Sequence, residues 1–151
     1  MHEKIVEGVF LVGGGHLSGP GDCLCYALDL VDVVLVDSGC GPGWRKIRAN
    51  IQGAGLDPGG LHTLFLTHCH VDHVGAAPDV QRDTQCRVVA HELDAEAIET
   101  GDPERTAASW YGRDLEEMTL TQRISGHEHV LSFPGGEINV LHTPGHTPGS
   151  C

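Results

Sequence analysis

Thr67-His68-Cys69-His70-Val71-Asp72-His73 places three histidines and an aspartate directly behind the apolar run Leu64-Phe65-Leu66. In an extended chain, side chains at positions i and i+2 point to the same side, so His68 and His70 can hold one cation together where the strand ends. Neutral imidazole is a ligand that borderline divalent metals such as zinc accept. The stretch therefore predicts a metal site, and a solvated, histidine-rich loop is the weaker alternative.

The end of the same stretch offers two further metal ligands, Asp72 and His73. Gly75 and the small residues after it predict a turn into a short helix at this point. On that turn a carboxylate and an imidazole can face a second cation beside the first. The motif is therefore able to serve two metal ions.

A second motif, Leu141-His142-Thr143-Pro144-Gly145-His146-Thr147-Pro148-Gly149-Ser150, predicts a stiff, sharply bent loop. Its prolines fix φ, and its glycines permit tight backbone turns. A stiff loop is a suitable place for a third ligand, His146. Three protein ligands leave the fourth position of zinc open to water, which is typical of catalytic rather than structural zinc.

Three motifs together resemble a known family. HxHxDH at 68–73, TPGHTPGS at 143–150 and the earlier Val36-Asp37-Ser38-Gly39 resemble, over the whole chain, the metallo-β-lactamase superfamily of hydrolases. The match is closest to the glyoxalase II-like (hydroxyacylglutathione hydrolase-like) members. The resemblance implies an α/β fold, the αββα sandwich. Residues 1–151 would form one domain that corresponds to its N-terminal half, a mixed sheet with helices on its outer face.

The resemblance also implies a role for each site residue. It assigns His68, His70 and His146 to the first metal, Asp72 and His73 to the second metal, and Asp37 to the orientation of a ligand histidine. In the family a bridging aspartate and a further histidine follow the TPGHTPGS motif, whereas this chain ends at Cys151. We therefore expect a truncated domain whose second metal site is weak.

The expected chemistry is hydrolysis of a small-molecule carbonyl compound with one or two zinc ions per chain. Zinc in an open three-histidine site lowers the pKa of its bound water to about 7, which makes hydroxide available for attack on the carbonyl. Asp72 is the expected catalytic residue, because it can orient the water or accept its proton. Thioesters, esters, lactones and β-lactams all suit this chemistry, and the resemblance alone favours a glutathione-type thioester.

Two alternatives belong to other functional classes. The first is a non-haem iron oxidoreductase of the same fold, resembling a persulfide dioxygenase, in which His68, His146 and a carboxylate would hold iron. The second is a metal-binding fragment without activity. A lone N-terminal half would expose an apolar sheet face, so we expect either a homo-oligomer or a complementing C-terminal segment.

Composition restricts the partners and the compartment. The chain has 9 basic and 21 acidic residues and a net charge of −12, which repels phosphate backbones and argues against nucleic acid. The sequence has no apolar run of membrane-spanning length and no signal-peptide pattern at its start, so we expect a cytoplasmic protein without membrane contact. Cys23 and Cys25 alternate along a predicted strand, where buried core residues are the favoured interpretation over another metal site.

Periodicity and turn residues predict the remaining elements. The expected strands are Val9–Val12, Cys23–Leu30, Val33–Val36, Leu61–Leu66 and Arg87–Ala90, followed by a hairpin of Val130–Phe133 and Glu137–Leu141. The expected helices are Trp44–Gln52, His91–Thr100 and Pro103–Tyr111, with a short helix or turn over Val74–Val80. Gly112–Ser125 is expected to be a loop, and His91 a capping or surface histidine.

Overall fold

Seven strands form one mixed sheet in the computed structural model, which describes residues 1–151. They are β1 (Glu3–Val6), β2 (Val9–Gly13), β3 (Cys25–Leu30), β4 (Asp32–Val36), β5 (Leu61–Phe65), β6 (Arg87–His91) and β7 (Gln122–Ile124). The spatial order follows the sequence from β1 to β7. The first four strands pair antiparallel, and β4 to β7 pair parallel.

Four helices and a separate hairpin complete the fold. They are α1 (Trp44–Gly53), α2 (Val71–Val74), α3 (Ala77–Thr84), α4 (Glu92–Thr100) and the hairpin of β8 (Glu128–Phe133) and β9 (Gly136–Leu141). Helix α1 buries the apolar side chains that its sequence places on one face, Trp44, Ile47 and Ile51. No helix has both the length and the apolar character needed to cross a bilayer.

The two faces of the sheet are covered differently. On one face the helices contribute Ile47, Val80 and Ile98 to the main core. On the other face Phe65, Val89 and Ile124 pack against Leu131 and Val140 of the hairpin, which form a second, smaller core. The hairpin therefore covers part of the sheet face that the sequence predicted to be bare.

The parallel strands explain where a site can form. The carboxyl ends of β4, β5 and β6 lie at one edge of the sheet, and loops that follow such ends meet there. Asp37 follows β4, the histidine motif follows β5, and His91 closes β6. Three segments far apart in sequence therefore converge at a single edge.

The predicted helix Pro103–Tyr111 is wrong, because this segment forms successive turns. Asp102 does cap it as expected, and its side chain accepts hydrogen bonds from the next two free backbone N–H groups. The helix fails to continue because Ala107 has a left-handed φ of 57° and because the Thr106 carbonyl accepts a hydrogen bond from Val71 N at 2.8 Å. The backbone here serves the histidine motif instead of a helix.

The sequence also missed two strands. β1 is the outermost strand on one side of the sheet. β7 is the outermost strand on the other side and falls inside the stretch predicted to be a loop. Both are short, and β7 has only three residues, so neither shows a clear alternation. The other predicted strands, the hairpin and helices α1 and α4 are confirmed within one or two residues at their ends.

Candidate metal centre

Three histidines from the two motifs meet at the carboxyl edge of the sheet. One ligand nitrogen from each of His68, His70 and His146 lies within 4.8 Å of the others. The ring centroids are separated by 4.9 Å for His68 and His70, 4.8 Å for His68 and His146, and 4.5 Å for His70 and His146. The sheet places the first two at the end of β5, and the loop after β9 brings the third to them.

Hydrogen bonds fix which nitrogen of His68 is free. The Thr67 hydroxyl has one proton and donates it to Asp37 Oδ2 at 2.8 Å, so it accepts from the Nδ1–H of His68 at 3.1 Å. The lone pair of His68 is then on Nε2. This atom is buried and has no hydrogen-bond partner in the protein. A buried, unpartnered nitrogen beside two other imidazoles fits a metal ligand.

The protonation state of these imidazoles also suits a metal. Burial, followed by the nearby charge of His73, lowers the pKa of His68 to about 4. Burial and the neighbouring His146 lower the pKa of His70. Neutral imidazole is the form that coordinates, so both side chains hold the required form at neutral pH.

The loop that carries His146 is closed by its own polar residues. Thr143 N donates to the Ser150 carbonyl at 2.8 Å, and Thr147 N donates to the Ser150 hydroxyl at 2.9 Å. Cys151 N then donates to the Thr67 carbonyl at 2.9 Å, which ties the loop to the histidine motif. Backbone hydrogen bonds and the Ser150 hydroxyl therefore stabilise the bend, in addition to its prolines and glycines.

Asp72 and His73 belong to a second, neighbouring group. His73 Nδ1 donates to Asp37 Oδ2 at 2.8 Å, and His73 Nε2 lies 3.4 Å from Asp72 Oδ2. Burial acts to lower the pKa of His73, but the hydrogen bonds to Asp37 and Cys23 outweigh it and raise the pKa to about 10. Without a metal, this imidazole is a cation held between two carboxylates.

Asp37 connects the two groups. Its Oδ1 accepts from Thr67 N at 2.8 Å, and its Oδ2 accepts from both the Thr67 hydroxyl and His73. The residue has a left-handed φ of 61°, which aspartate and asparagine tolerate better than most residues. One buried carboxylate thus orients His73 directly and His68 through Thr67.

Cys23 is an unexpected neighbour of the second group. Its thiol lies with ligand atoms of Asp37 and His73 in a set whose members are within 4.8 Å of one another. The Cys25 thiol is 3.7 Å away. The hydrogen bond with Cys25, together with the one to His73, outweighs the effect of burial and lowers the pKa of Cys23 to about 7. Cys25 is a core residue as predicted, whereas Cys23 is half-buried beside potential ligands.

Close backbone packing holds α2 against the loop after β4. Ser38 N and its hydroxyl both donate to the His73 carbonyl at 2.8 Å. A Cβ on Gly75 would lie 2.5 Å from the Cys40 carbonyl and 2.6 Å from the Val71 carbonyl oxygen. A residue without a side chain is therefore required at position 75 for this approach.

The sequence did not identify Asp94, which contacts both histidine motifs. Its carboxylate is buried in the first turn of α4 and accepts hydrogen bonds from Cys69 and Thr147. Its only signal in the sequence is an acidic residue in the first turn of the helix that follows β6, which is too common to single it out. His91, the last residue of β6, caps α4 through Nδ1 and stacks on His142; it is buried, so its surface alternative is wrong.

Comparison with known proteins identifies the family. The family model described as "Metallo-beta-lactamase superfamily" matches residues 18–151. The chain belongs to the metallo-beta-lactamase superfamily. The histidine groups described above therefore lie in a member of a superfamily of metal-dependent hydrolases, as the sequence motifs predicted.

Two curated relatives of this superfamily member are similar over most of the chain. Hydroxyacylglutathione hydrolase GloC of Haemophilus influenzae is 27% identical over 138 residues, which cover 81% of this chain and 63% of that protein. The probable metallo-hydrolase YqgX of Bacillus subtilis is 31% identical over 140 residues, covering 87% of this chain and 60% of that protein. The chain thus spans about three-fifths of the length of these relatives.

Solved metallo-beta-lactamases share the fold. The subclass B3 enzyme BJP-1 of Bradyrhizobium japonicum matches with a TM-score of 0.85 at 19% identity, covering 99% of this chain and 54% of that one. FEZ-1 of Legionella gormanii matches with a TM-score of 0.82 at 19% identity, covering 95% and 53%. The sheet and helices of this chain correspond to about half of the metallo-beta-lactamase fold, as predicted.

Proposed function

We propose that this chain binds a divalent metal through His68, His70 and His146 and takes part in hydrolysis of a small-molecule carbonyl compound. The observation that carries the proposal is the buried, unpartnered Nε2 of His68 within the three-histidine group. Burial of such an atom is unfavourable unless a partner satisfies it. A metal ion is the partner that the neighbouring imidazoles would share.

Zinc is the metal that this donor set favours. The group consists of three imidazoles and contains no carboxylate oxygen. Three histidines with an open fourth position are typical of catalytic zinc, whereas non-haem iron takes two histidines and a carboxylate. The carboxylates of Asp37 and Asp72 instead contact His73.

The metal, Asp72 and Asp37 would have separate roles in the reaction. A bound zinc ion supplies polarisation of the carbonyl oxygen and a more acidic water. Asp72, half-buried beside His73, would be the residue that orients the water and accepts its proton. Asp37 orients His73 directly and His68 through Thr67, which would hold the free Nε2 of His68 ready to bind the metal.

The substrate class follows from chemistry and from one relative. Thioesters, esters, lactones and β-lactams all have an electrophilic carbonyl that such a site can attack. The name of the Haemophilus influenzae relative, a hydroxyacylglutathione hydrolase, makes a glutathione thioester the first candidate. The net charge of −12 supports a small molecule over a nucleic acid.

The test combines metal analysis with a substrate panel. Purified protein is analysed for zinc and iron, and then assayed with a hydroxyacylglutathione thioester, a lactone and a β-lactam before and after chelation and zinc restoration. We expect zinc and zinc-dependent hydrolysis of one class. Asp72→Asn should keep the first metal and lose about 10²–10⁴-fold in rate, while the exposed Asp79→Asn should match the wild type.

Several outcomes of this test would contradict the proposal. Protein that takes up no metal after zinc addition would exclude the site. Tightly bound iron together with oxygen consumption would replace the hydrolase with an oxidoreductase. Metal uptake without hydrolysis in any class would reduce the function to metal binding.

We also propose that the chain associates with a further polypeptide surface, either a second copy or a complementing C-terminal segment. The hairpin covers only part of one sheet face, and edge strand β1 exposes Ile5 and Val6. Exposed edge strands with apolar residues favour pairing with another chain. If the surface is that of a second copy, light scattering should show a dimer or larger species; a monodisperse monomer would exclude self-association and leave only the complementing segment.

A further inference from the structure

Asp94 is a buried acid whose only direct partners are uncharged donors. Its side chain is 1% exposed. Oδ2 accepts from Cys69 N at 3.0 Å and from the Thr147 hydroxyl at 2.6 Å, and Oδ1 accepts from Gly149 N at 2.8 Å. Burying a carboxylate is costly, and hydrogen bonds from three donors offset that cost. The donors must therefore stay in place around it.

The three donors come from the two segments that carry the histidines. Cys69 stands between His68 and His70, and Thr147 directly follows His146. No other single side chain has direct hydrogen bonds to both segments. The two motifs therefore cannot separate without leaving the buried carboxylate short of hydrogen bonds.

The backbone packing at Gly149 supports a specific, close fit. A Cβ at position 149 would lie 2.7 Å from Asp94 Cγ and 2.8 Å from Asp94 N. The loop thus approaches the first turn of α4 at a distance that only glycine permits. The N-terminus of α4 adds a favourable field for the negative charge.

We propose that Asp94 is a positioning residue that sets the location of His146 relative to the pair His68 and His70. It touches none of the three imidazoles and acts through the peptide of Cys69 and the hydroxyl of Thr147. For its effect on metal affinity this inference rests on the proposed function. Its effect on the two loops does not depend on any metal.

The first experiment is a double-mutant cycle on zinc affinity, measured by competition with a chromophoric chelator. Asp94→Asn keeps the size of the side chain but puts an amide N–H₂ group where an acceptor is needed. Partners that orient ligands typically account for about 10–100-fold in metal affinity, so we expect Kd to rise by that factor. In a His146→Ala background the same substitution should change Kd by less than about threefold, because the imidazole that Asp94 positions is no longer present.

A control separates positioning from general stability. Asn50→Ala removes a similarly buried polar side chain, which donates to the Val12 carbonyl of β2 and has no hydrogen bond to either histidine motif. It should lower the unfolding midpoint without changing the Kd of the folded protein. Equal losses of affinity for Asp94→Asn with and without His146, or a wild-type Kd in Asp94→Asn, would overturn the inference.

The second experiment uses metal-free protein and amide hydrogen exchange. Asp94→Asn should speed exchange at Cys69 and Gly149 by at least about tenfold, while amides in β2 and β3 keep their rates. If Asp94→Asn does not fold, Thr147→Val removes one donor at constant size and should speed exchange at the same two amides. Unchanged exchange at these amides would contradict the inference. If wild-type protein bound no zinc, the proposed function would fail while this measurement still tested the loops.

Discussion

The two histidine groups at the edge of the sheet differ in how their polar atoms are satisfied. In the first group, His68 Nε2 is buried without a partner, and burial lowers the pKa of His68 to about 4. In the second, both ring nitrogens of His73 face carboxylates, and the hydrogen bonds to Asp37 and Cys23 outweigh burial and raise the pKa of His73 to about 10. One short motif therefore supplies one histidine ready for a cation and one that already carries a proton.

The difference teaches that ligand residues in one motif need not bind metal equally. A cation at the first group gains an unsatisfied lone pair and displaces no proton from His68. A cation at the second group must displace the proton of His73 and compete with the Asp37 and Asp72 contacts. We therefore expect one tight and one weak equivalent of metal per chain.

The largest expected effect comes from removing a ligand of the first group. His70→Ala should weaken the tight equivalent by more than the roughly 100-fold that outer partners contribute, because a direct donor is lost. His127→Ala, which removes an exposed histidine next to β8, should leave the titration unchanged. Isothermal titration with zinc measures the Kd of both variants. An unaltered Kd in His70→Ala would show that His70 is not part of the site.

The next effect concerns the carboxylate that joins the two groups. Asp37→Asn keeps the left-handed backbone but weakens the contacts with His73 and the Thr67 hydroxyl, so the free energy of unfolding should fall by about 3 kcal/mol. The pKa of His73 should move from about 10 toward its ordinary 6.5. Denaturant unfolding and NMR titration measure these changes, with the exposed turn residue Asp57→Asn as control.

A pH series sharpens the contrast between the two equivalents. Below the pKa of about 10 for His73, binding at the second group releases one proton, so its affinity should rise about tenfold per pH unit. The first equivalent should stay nearly constant from neutral pH upward. Cys23→Ser should change only the second equivalent, because the thiol lies with Asp37 and His73. Parallel pH dependence of both equivalents would break the comparison.

The smallest effect is on the metal-free protein in acid. The pKa of His68 is about 4 in the folded chain and 6.5 ordinarily, so the unfolded state takes up the proton first. The contribution of His68 to stability is thus complete above 6.5 and is lost as the pH falls toward 4. His68→Gln should remove this loss, which the difference between the two pKa values puts at roughly 3 kcal/mol before solvent screening reduces it. If wild type and His68→Gln keep a constant stability difference over this range, the pKa of His68 is not lowered.

Local patterns predicted the elements that are stabilised locally. Helix α1 has a regular apolar face, and β5 is an apolar run that ends at the histidine motif, so both were found. The segment 103–111 has a cap and a proline suitable for a helix, yet its carbonyls accept hydrogen bonds from Val71 and Cys69. Those partners are distant in sequence, and no local pattern reports them.

In the site, too, local patterns predicted some residues, and others depend on contacts between distant parts of the chain. His68 and His70 could be selected because four ligand-type residues follow one apolar strand, and His146 because it stands on a stiff proline- and glycine-rich loop. Asp94 could not be selected, because a single acid in the first turn of a helix is common and favourable by itself. Its importance arises only when the sheet brings α4 beside both loops.

Gly75 suggests how other chains with this motif can be sorted. A residue of any size at that position would push α2 away from the backbone at Cys40, and the carboxylate of Asp37 would then lose its reach to the imidazole of His73. Such a chain would still show every histidine and aspartate in an alignment. Counting ligand residues alone would classify it as intact, whereas the residue at position 75 would show that the contact between Asp37 and His73 is lost.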